Sequence, residues 1–162
     1  MVSSLLLVAT IAMRNGQLPT AEELHSQIDE NGPKQTLLAL YNDHAQWTPF
    51  LDRIAYASLP WLEVANRLLT ASDAGAANEL EFALGDALNK NAERVLRTID
   101  DIDFACGLFS LAGNCDDLTH AFTQREAAVR AIEVPSLQKK RVECLAVIVE
   151  LRKDTLEYNK CR

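Results

Sequence analysis

The sequence predicts an all-α fold of about eight helices, arranged as antiparallel helical hairpins in a bundle or short superhelical stack. Three observations predict it. Apolar residues recur at three- and four-residue spacing along nearly the whole chain. Capping residues and prolines punctuate those stripes at short intervals. No Asn-Gly or Asp-Gly turn stands between alternating apolar runs, and Asn15-Gly16 precedes a helix start instead.

Thr20 with Glu23 forms a capping box, and the helix it opens carries Leu24 and Ile28 and stops at Asn31-Gly32. Pro33 starts the next, with Leu37, Leu38 and Tyr41 as its stripe. Asp43 or Thr48 opens a third helix, with Pro49 in its first turn and Phe50, Leu51, Ile54 and Ala55 inward. Ser58 and Pro60 open a fourth, buried through Trp61, Leu62, Ala65, Leu68 and Leu69. Asp73 caps a fifth, whose Ala77, Leu80, Ala83, Leu84, Ala87 and Leu88 make the cleanest amphipathic stripe in the chain. Asn91 caps a short sixth helix with Val95, Leu96 and Ile99.

The stretch from Asp100 to Asp117 is the least regular, with five Asp, two Gly and two Cys. Phe104, Leu108, Phe109 and Leu111 predict a short helix inside it, with Asp100 and Asp103 at its ends. Asp116 or Asp117 caps a long helix carrying Leu118, Ala121, Phe122, Ala128, Val129 and Ile132. Pro135 restarts the chain into the last helix, over residues 136–158, with Leu137, Leu145, Ile148, Val149, Leu151 and Leu156 inward. No repeat of solenoid period emerges.

The chain's 162 residues suit one domain, over residues 17–162, that buries enough surface to fold without a metal. Hydrophobic residues at 48% and charged residues at 24% are ordinary for a globular chain. The net charge of -7 argues against nucleic acid, whose phosphates need clustered Lys and Arg. Arg94 and Arg97, and Lys139-Lys140-Arg141, are short basic spots flanked by Glu and read as solvated helix faces.

Residues 1–16 read as a signal or an N-terminal apolar segment. The run MVSSLLLVATIA carries no charge, and Thr10-Ile11-Ala12 offers a small-x-small cleavage site. It falls well short of the about 20 apolar residues that span a bilayer, so no stable membrane insertion is expected.

The four cysteines, Cys106, Cys115, Cys144 and Cys161, all lie in the last third of the chain. No C-x-x-C pair occurs, so zinc-ribbon and thioredoxin-like readings lack support. An even count beside an export-like N-terminus predicts two disulfides and a periplasmic or secreted protein, with a cytoplasmic chain of four free thiols as the alternative. Cys144 and Cys161 are 17 residues apart, about 25 Å if the stretch between them is helical. A disulfide needs Cα atoms within about 7 Å. Two connectivities remain. Cys106–Cys144 with Cys115–Cys161 is preferred, each tying the segment before the penultimate helix to the last one. Cys106–Cys161 with Cys115–Cys144 is the other.

No catalytic, metal or cofactor motif is present. His25, His44 and His120 are scattered without H-E-x-x-H spacing, and no nucleophile elbow or phosphate-binding glycine loop occurs. The Asp100–Asp117 stretch lacks the spacing of an EF-hand. It reads instead as an acidic surface for a basic protein partner, with Asp100, Asp101, Asp103, Phe104, Phe109, Asp116 and Asp117 as candidate binding residues. Trp47 and Trp61 read as core; an exposed Trp47 beside Tyr41 and His44 would instead anchor an interface.

The texture of the middle of the chain carries a resemblance. It runs through Trp61-Leu-Glu-Val-Ala65, Leu68, Ser72-Asp-Ala-Gly-Ala-Ala77, Leu80, Ala87-Leu88, Asn91-Ala-Glu93 and Val95-Leu96, then Cys106 and Arg141-Val-Glu-Cys144-Leu145. Over about half its length the chain resembles small, signal-bearing, all-helical exported proteins of Proteobacteria. Asn91-Ala92 stands where that group would carry Asn-Pro, which leaves the cap intact. The resemblance implies bacterial export and a Cys106–Cys144 bridge, and supplies no activity. In size, helical class and disulfides the chain is also similar to periplasmic immunity proteins that neutralise type VI amidase effectors, an architectural likeness without a shared motif.

The functional expectation is therefore a non-enzymatic exported helical interaction module, immunity-like or inhibitory, that acts by occlusion and needs no cofactor. The alternatives are a cell-wall hydrolase using two carboxylates, and a structural component of a homo-oligomeric envelope complex, a homodimer included. The oligomer would expose an apolar patch on the Trp47 or Leu37–Tyr41 face.

Overall fold

The computed structural model describes residues 17–107 and 114–161. Among them the secondary structure is all-α: α1 (Ala21–Asn31), α2 (Pro33–Asn42), α3 (His44–Ala55), α4 (Leu59–Leu69), α5 (Ala74–Thr98), α6 (Ile102–Cys106), α7 (Cys115–Arg130) and α8 (Gln138–Tyr158), with a single 3₁₀ turn at Pro135–Leu137 before α8.

Most of the predicted boundaries have the predicted chemistry. Thr20 accepts the Glu23 N–H at 3.2 Å while the Glu23 carboxylate accepts the Thr20 N–H at 2.7 Å, closing the capping box. Gly32, at φ 81°, turns the chain between α1 and α2 in a conformation that suits glycine. Asp73 caps α5 through the Ala76 N–H at 3.3 Å. Asn91 leaves helical geometry (φ -155°, ψ 77°) and its side chain recaps the following turns by accepting the Arg94 N–H at 3.0 Å. The predicted fifth and sixth helices are thus present as two helical runs that meet at a kink at Asn91 and together make up the 25-residue span of α5.

Several details differ. Asp43, not Thr48, opens α3, because its carboxylate accepts from both the Ala45 N–H at 3.1 Å and the Gln46 side-chain amide at 2.8 Å. Pro49 therefore lies inside α3, where it forfeits the hydrogen bond to the carbonyl of Ala45, an exposed residue. Ser58 occupies the cap position of α4 without a side-chain cap bond. Asp101 caps α6 in place of Asp100 or Asp103, and Asn114 caps α7 in place of Asp116 or Asp117. In both cases the residue one position outside the first turn reaches back to the free N–H groups, and the later acids lie within that turn. Ala121 and Val149 are exposed rather than inward. Leu108, Phe109 and Leu111 lie outside the described residues.

The central helix is α5. It packs against α3 and α4 on the N-terminal side of the chain and against α6 and α7 on the C-terminal side, while α8 closes over α6 and α7. Leu80, Leu84, Leu88, Val95, Leu96 and Ile99 are fully buried along it and belong to one continuous core. Tyr41, Trp47, Phe50 and Trp61 form a run of ring contacts, with centroids 5.3, 5.6 and 6.0 Å apart, that joins α2, α3 and α4. Trp47 is core, and its indole N–H donates to Glu79 Oε2 at 2.7 Å. Leu37 and Leu40 are buried too, so the face on which an oligomer would dock is turned largely inward.

Arg125 is a buried cation within the apolar spacing Leu118, Phe122, Arg125, Val129 of α7. Burial pulls its pKa down to about 10, partly offset by the charge of Asp86, and leaves it charged at neutral pH. Its guanidinium lies over Gly85 on α5, the one residue type that leaves room for it. A methyl group there would meet Arg125 Cζ at 3.0 Å. Gly85→Ala is expected to lower unfolding free energy by about 1–3 kcal/mol through overpacking. In urea titrations that penalty should vanish in an Arg125→Ala background; an equal penalty in both backgrounds would refute the contact.

Both cysteine pairs are bridged as preferred from the sequence, Cys106–Cys144 and Cys115–Cys161, with Cα atoms 5.4 Å apart in each. The loops they close, separations of 38 and 46, interleave rather than nest. Each bridge removes about 2–4 kcal/mol of unfolded-state freedom. Cys106 and Cys144 are wholly buried, whereas Cys115 and Cys161 are half-buried. Under limiting thiol reductant, Cys115–Cys161 should open first, since exchange needs access to a sulfur. Alkylation followed by peptide mass mapping would show it, and the first label on Cys106 or Cys144 would contradict it.

Candidate functional site

The predicted acidic stretch divides into two groups. Asp100, Asp101 and Asp103 surround the start of α6, and Asp116 and Asp117 stand in the first turn of α7. Among the described residues no hydrogen bond or ion pair joins the two groups. Several of these carboxylates serve the local fold. Asp100 exchanges hydrogen bonds with Asn66, its carboxylate accepting at 2.9 Å and its N–H donating at 2.9 Å, and stands 3.8 Å from Lys140 Nζ. Asp101 Oδ1 accepts the N–H groups of Asp103 and Phe104 at 3.0 and 3.2 Å. Asp117 accepts from the Asn114 side-chain amide at 2.7 Å. Asp103 and Asp116 are exposed. Phe104 is half-buried against the core and Phe109 lies outside the described residues. Negative charge in the first turns of α6 and α7 also favours those helix dipoles.

The basic spots are not plain solvated faces. Arg94 donates to the Ala57 carbonyl at 2.8 Å, Lys140 to that of Ile99 at 2.7 Å and Arg141 to that of Ile132 at 2.8 Å. These carbonyls lie just past the ends of α3, α5 and α7. Arg97 pairs with Glu93 at 2.7 Å and Lys139 with Glu143 at 3.8 Å along their own helices. Arg67 bonds Asp29 and accepts no freedom from α1 either, donating to the His25 carbonyl at 3.4 Å. These cations hold helix ends and helix pairs together, and exposed acids outnumber the exposed cations, such as Lys34, Arg53, Lys153 and Lys160, that remain.

Two surface grooves are described. One, of about 420 Å³ between α2 and the start of α5, is lined by both Lys34 and Asp73, beside Leu37, Tyr41, Ser72 and Ala76. The other, of about 260 Å³ between α3 and α5, is lined by Asp52, Glu79 and Asp86 with Leu51, Ala55, Phe82 and Ala83, and by no Lys or Arg. The sequence reading passed over this second groove. Its signal was present: Phe82 is a large aromatic on the polar side of the cleanest amphipathic helix, with Glu79 three residues before it and Asp86 four after.

Glu81, on α5, has its carboxyl pKa raised, first by burial and then by the negative charge of Asp101. Asp101 is held as a cap, and neither residue lines either groove. Among the described residues no group of three or more His, Cys, Asp or Glu is placed to hold a metal ion, and no helix is long and apolar enough to cross a membrane.

No protein-family model, curated protein or solved structure matches this chain.

A carboxyl whose pKa is raised on folding favours the folded state below its unfolded pKa and loses that contribution as pH rises through the folded one. Glu81→Gln is thus expected to stabilise the protein at neutral pH. The gain should disappear in acid below the ordinary glutamate range. Urea unfolding at the two pH values checks this; a variant less stable at neutral pH would show that the ionised carboxylate is favoured in the fold.

Proposed function

We propose that this chain is a non-enzymatic, exported helical interaction module, immunity-like or inhibitory, that docks a basic protein and blocks it by occlusion. The carrying observation is the division of charge. Arg94, Lys140 and Arg141 sit on carbonyls beyond helix ends, while Asp52, Asp103 and Asp116 face outward on a chain of net charge -7. A surface on which one sign predominates steers an oppositely charged partner and disfavours others.

Two disulfides support a life in an oxidising compartment, periplasmic or extracellular. The interleaved bridges fasten α6 and α7 to α8, and both α6 and α7 pack against α5. Rigidity suits an inhibitor, because less ordering entropy is lost on association.

Affinity capture at low ionic strength from extracts of the native host, followed by calorimetry with the purified partner, tests the reading. A protein of basic surface is expected, with affinity weakening about tenfold or more between low and high salt. The absence of a specific partner, or an affinity indifferent to salt, would overturn it.

A further inference from the structure

Helical spacing places Leu51, Asp52 and Ala55 of α3 on one wall of the smaller groove, and Glu79, Phe82, Ala83 and Asp86 of α5 on the other. Phe82 is 37% exposed on a helix whose Leu80 and Leu84 are fully buried. The Asp52 carboxylate makes no hydrogen bond or ion pair with a described residue. Glu79 lines the groove and is oriented by the Trp47 indole, which bonds its Oε2 atom. Asp86 shares the field of Arg125 behind it. No cation lines the groove itself.

Small and aliphatic side chains, a phenyl ring and three carboxylates lining one groove match one kind of side chain. A methylene stem lies along Leu51, Ala55 and Ala83. A planar guanidinium stacks on the ring and is bonded by carboxylates on its edge. Arginine fits this better than lysine, whose ammonium is a compact, more strongly hydrated point charge. At about 260 Å³ the groove is smaller than the about 300–1,000 Å³ of small-molecule pockets. A free ligand would therefore stay largely wet, whereas a side chain carried on a protein surface brings its own cover.

We infer that the α3–α5 groove of Asp52, Glu79, Phe82 and Asp86 is the docking point for an arginine side chain presented by the basic protein partner. This inference rests on the docking reading above and deepens it by naming the contact.

The test is amide NMR on the disulfide-intact chain, titrated at low salt with an alanine-based helical peptide bearing one central arginine. Matched peptides carry lysine or the neutral isostere citrulline. The arginine peptide should shift the Asp52, Phe82 and Asp86 amides, with lysine about threefold or more weaker and citrulline inert. Asp52→Asn and Phe82→Ala, both at surface positions, should each weaken binding about three- to tenfold while the melting temperature stays near that of the parent. Equal binding of the citrulline peptide would overturn the inference, as would N-acetylarginine amide matching the arginine peptide. Shifts that map to Asp103 and Asp116 instead would sink the groove while leaving the docking reading standing. Failure of that reading shows separately, as salt-indifferent binding of the captured partner.

Discussion

Helix ends govern this structure more than any single contact. Each α-helix leaves its last carbonyls without partners inside the helix, and a fold of many short helices multiplies that demand. Here, beyond three of those ends, a cation from a distant helix supplies the partner: Arg94 for the chain leaving α3, Lys140 for that leaving α5, Arg141 for that leaving α7. Each bond satisfies a polar group, places positive charge near the negative end of a dipole and fixes the angle between two elements. The arrangement also decides what the surface looks like. With Arg94, Lys140, Arg141 and Arg67 held by the fold, the outward-facing charge is dominated by Asp and Glu.

The disulfides act on the same elements in a different way. Cys106 ends α6 and Cys115 begins α7, so the two bridges bracket the segment between those helices and anchor both sides of it to α8. The sealed bridge lies near the start of α8 and the half-buried one lies past its end. Because the loops interleave, opening the outer one leaves α6 tied. The C-terminal side of the protein is thus fixed covalently, while the N-terminal side relies on packing, above all the Tyr41–Trp47–Phe50–Trp61 contacts.

Much of the fold was legible because it is written in local chemistry. Thr20 with Glu23, Gly32, Asp73 and Asn91 act within a few residues of themselves, and sequence spacing reports them directly. The disulfide choice followed partly from one distance, the length of a helix between Cys144 and Cys161. What was illegible depends on what lies across a gap. Pro49 looked like a first-turn residue because nothing local says that Asp43 is the stronger cap. Arg125 stands in the apolar register of α7, and nothing in the neighbouring residue types says that a cation is buried there. Only the absence of a side chain at Gly85, about forty residues upstream, makes its burial geometrically feasible. The acidic stretch shows the same gap between sequence and structure. A dense run of Asp suggests a surface for a partner, yet Asp100, Asp101 and Asp117 are engaged with Asn66, the start of α6 and Asn114.

That contrast bears on where recognition resides. A carboxylate already bonded to a backbone N–H or an amide has less to offer a partner, because binding would have to replace a satisfied hydrogen bond. Density of acids in sequence is therefore a poor guide to docking, and vacancy of their lone pairs is a better one. By that measure Asp52, without a described partner, and Glu79, held through one oxygen only, outrank Asp101, whose oxygen serves two N–H groups. The exposed ring of Phe82 lines the same groove, on a helix whose Leu80 and Leu84 are fully buried in the core. A partner side chain seated there would contact the most firmly held element of the molecule, α5, so its binding need not order any part of this chain.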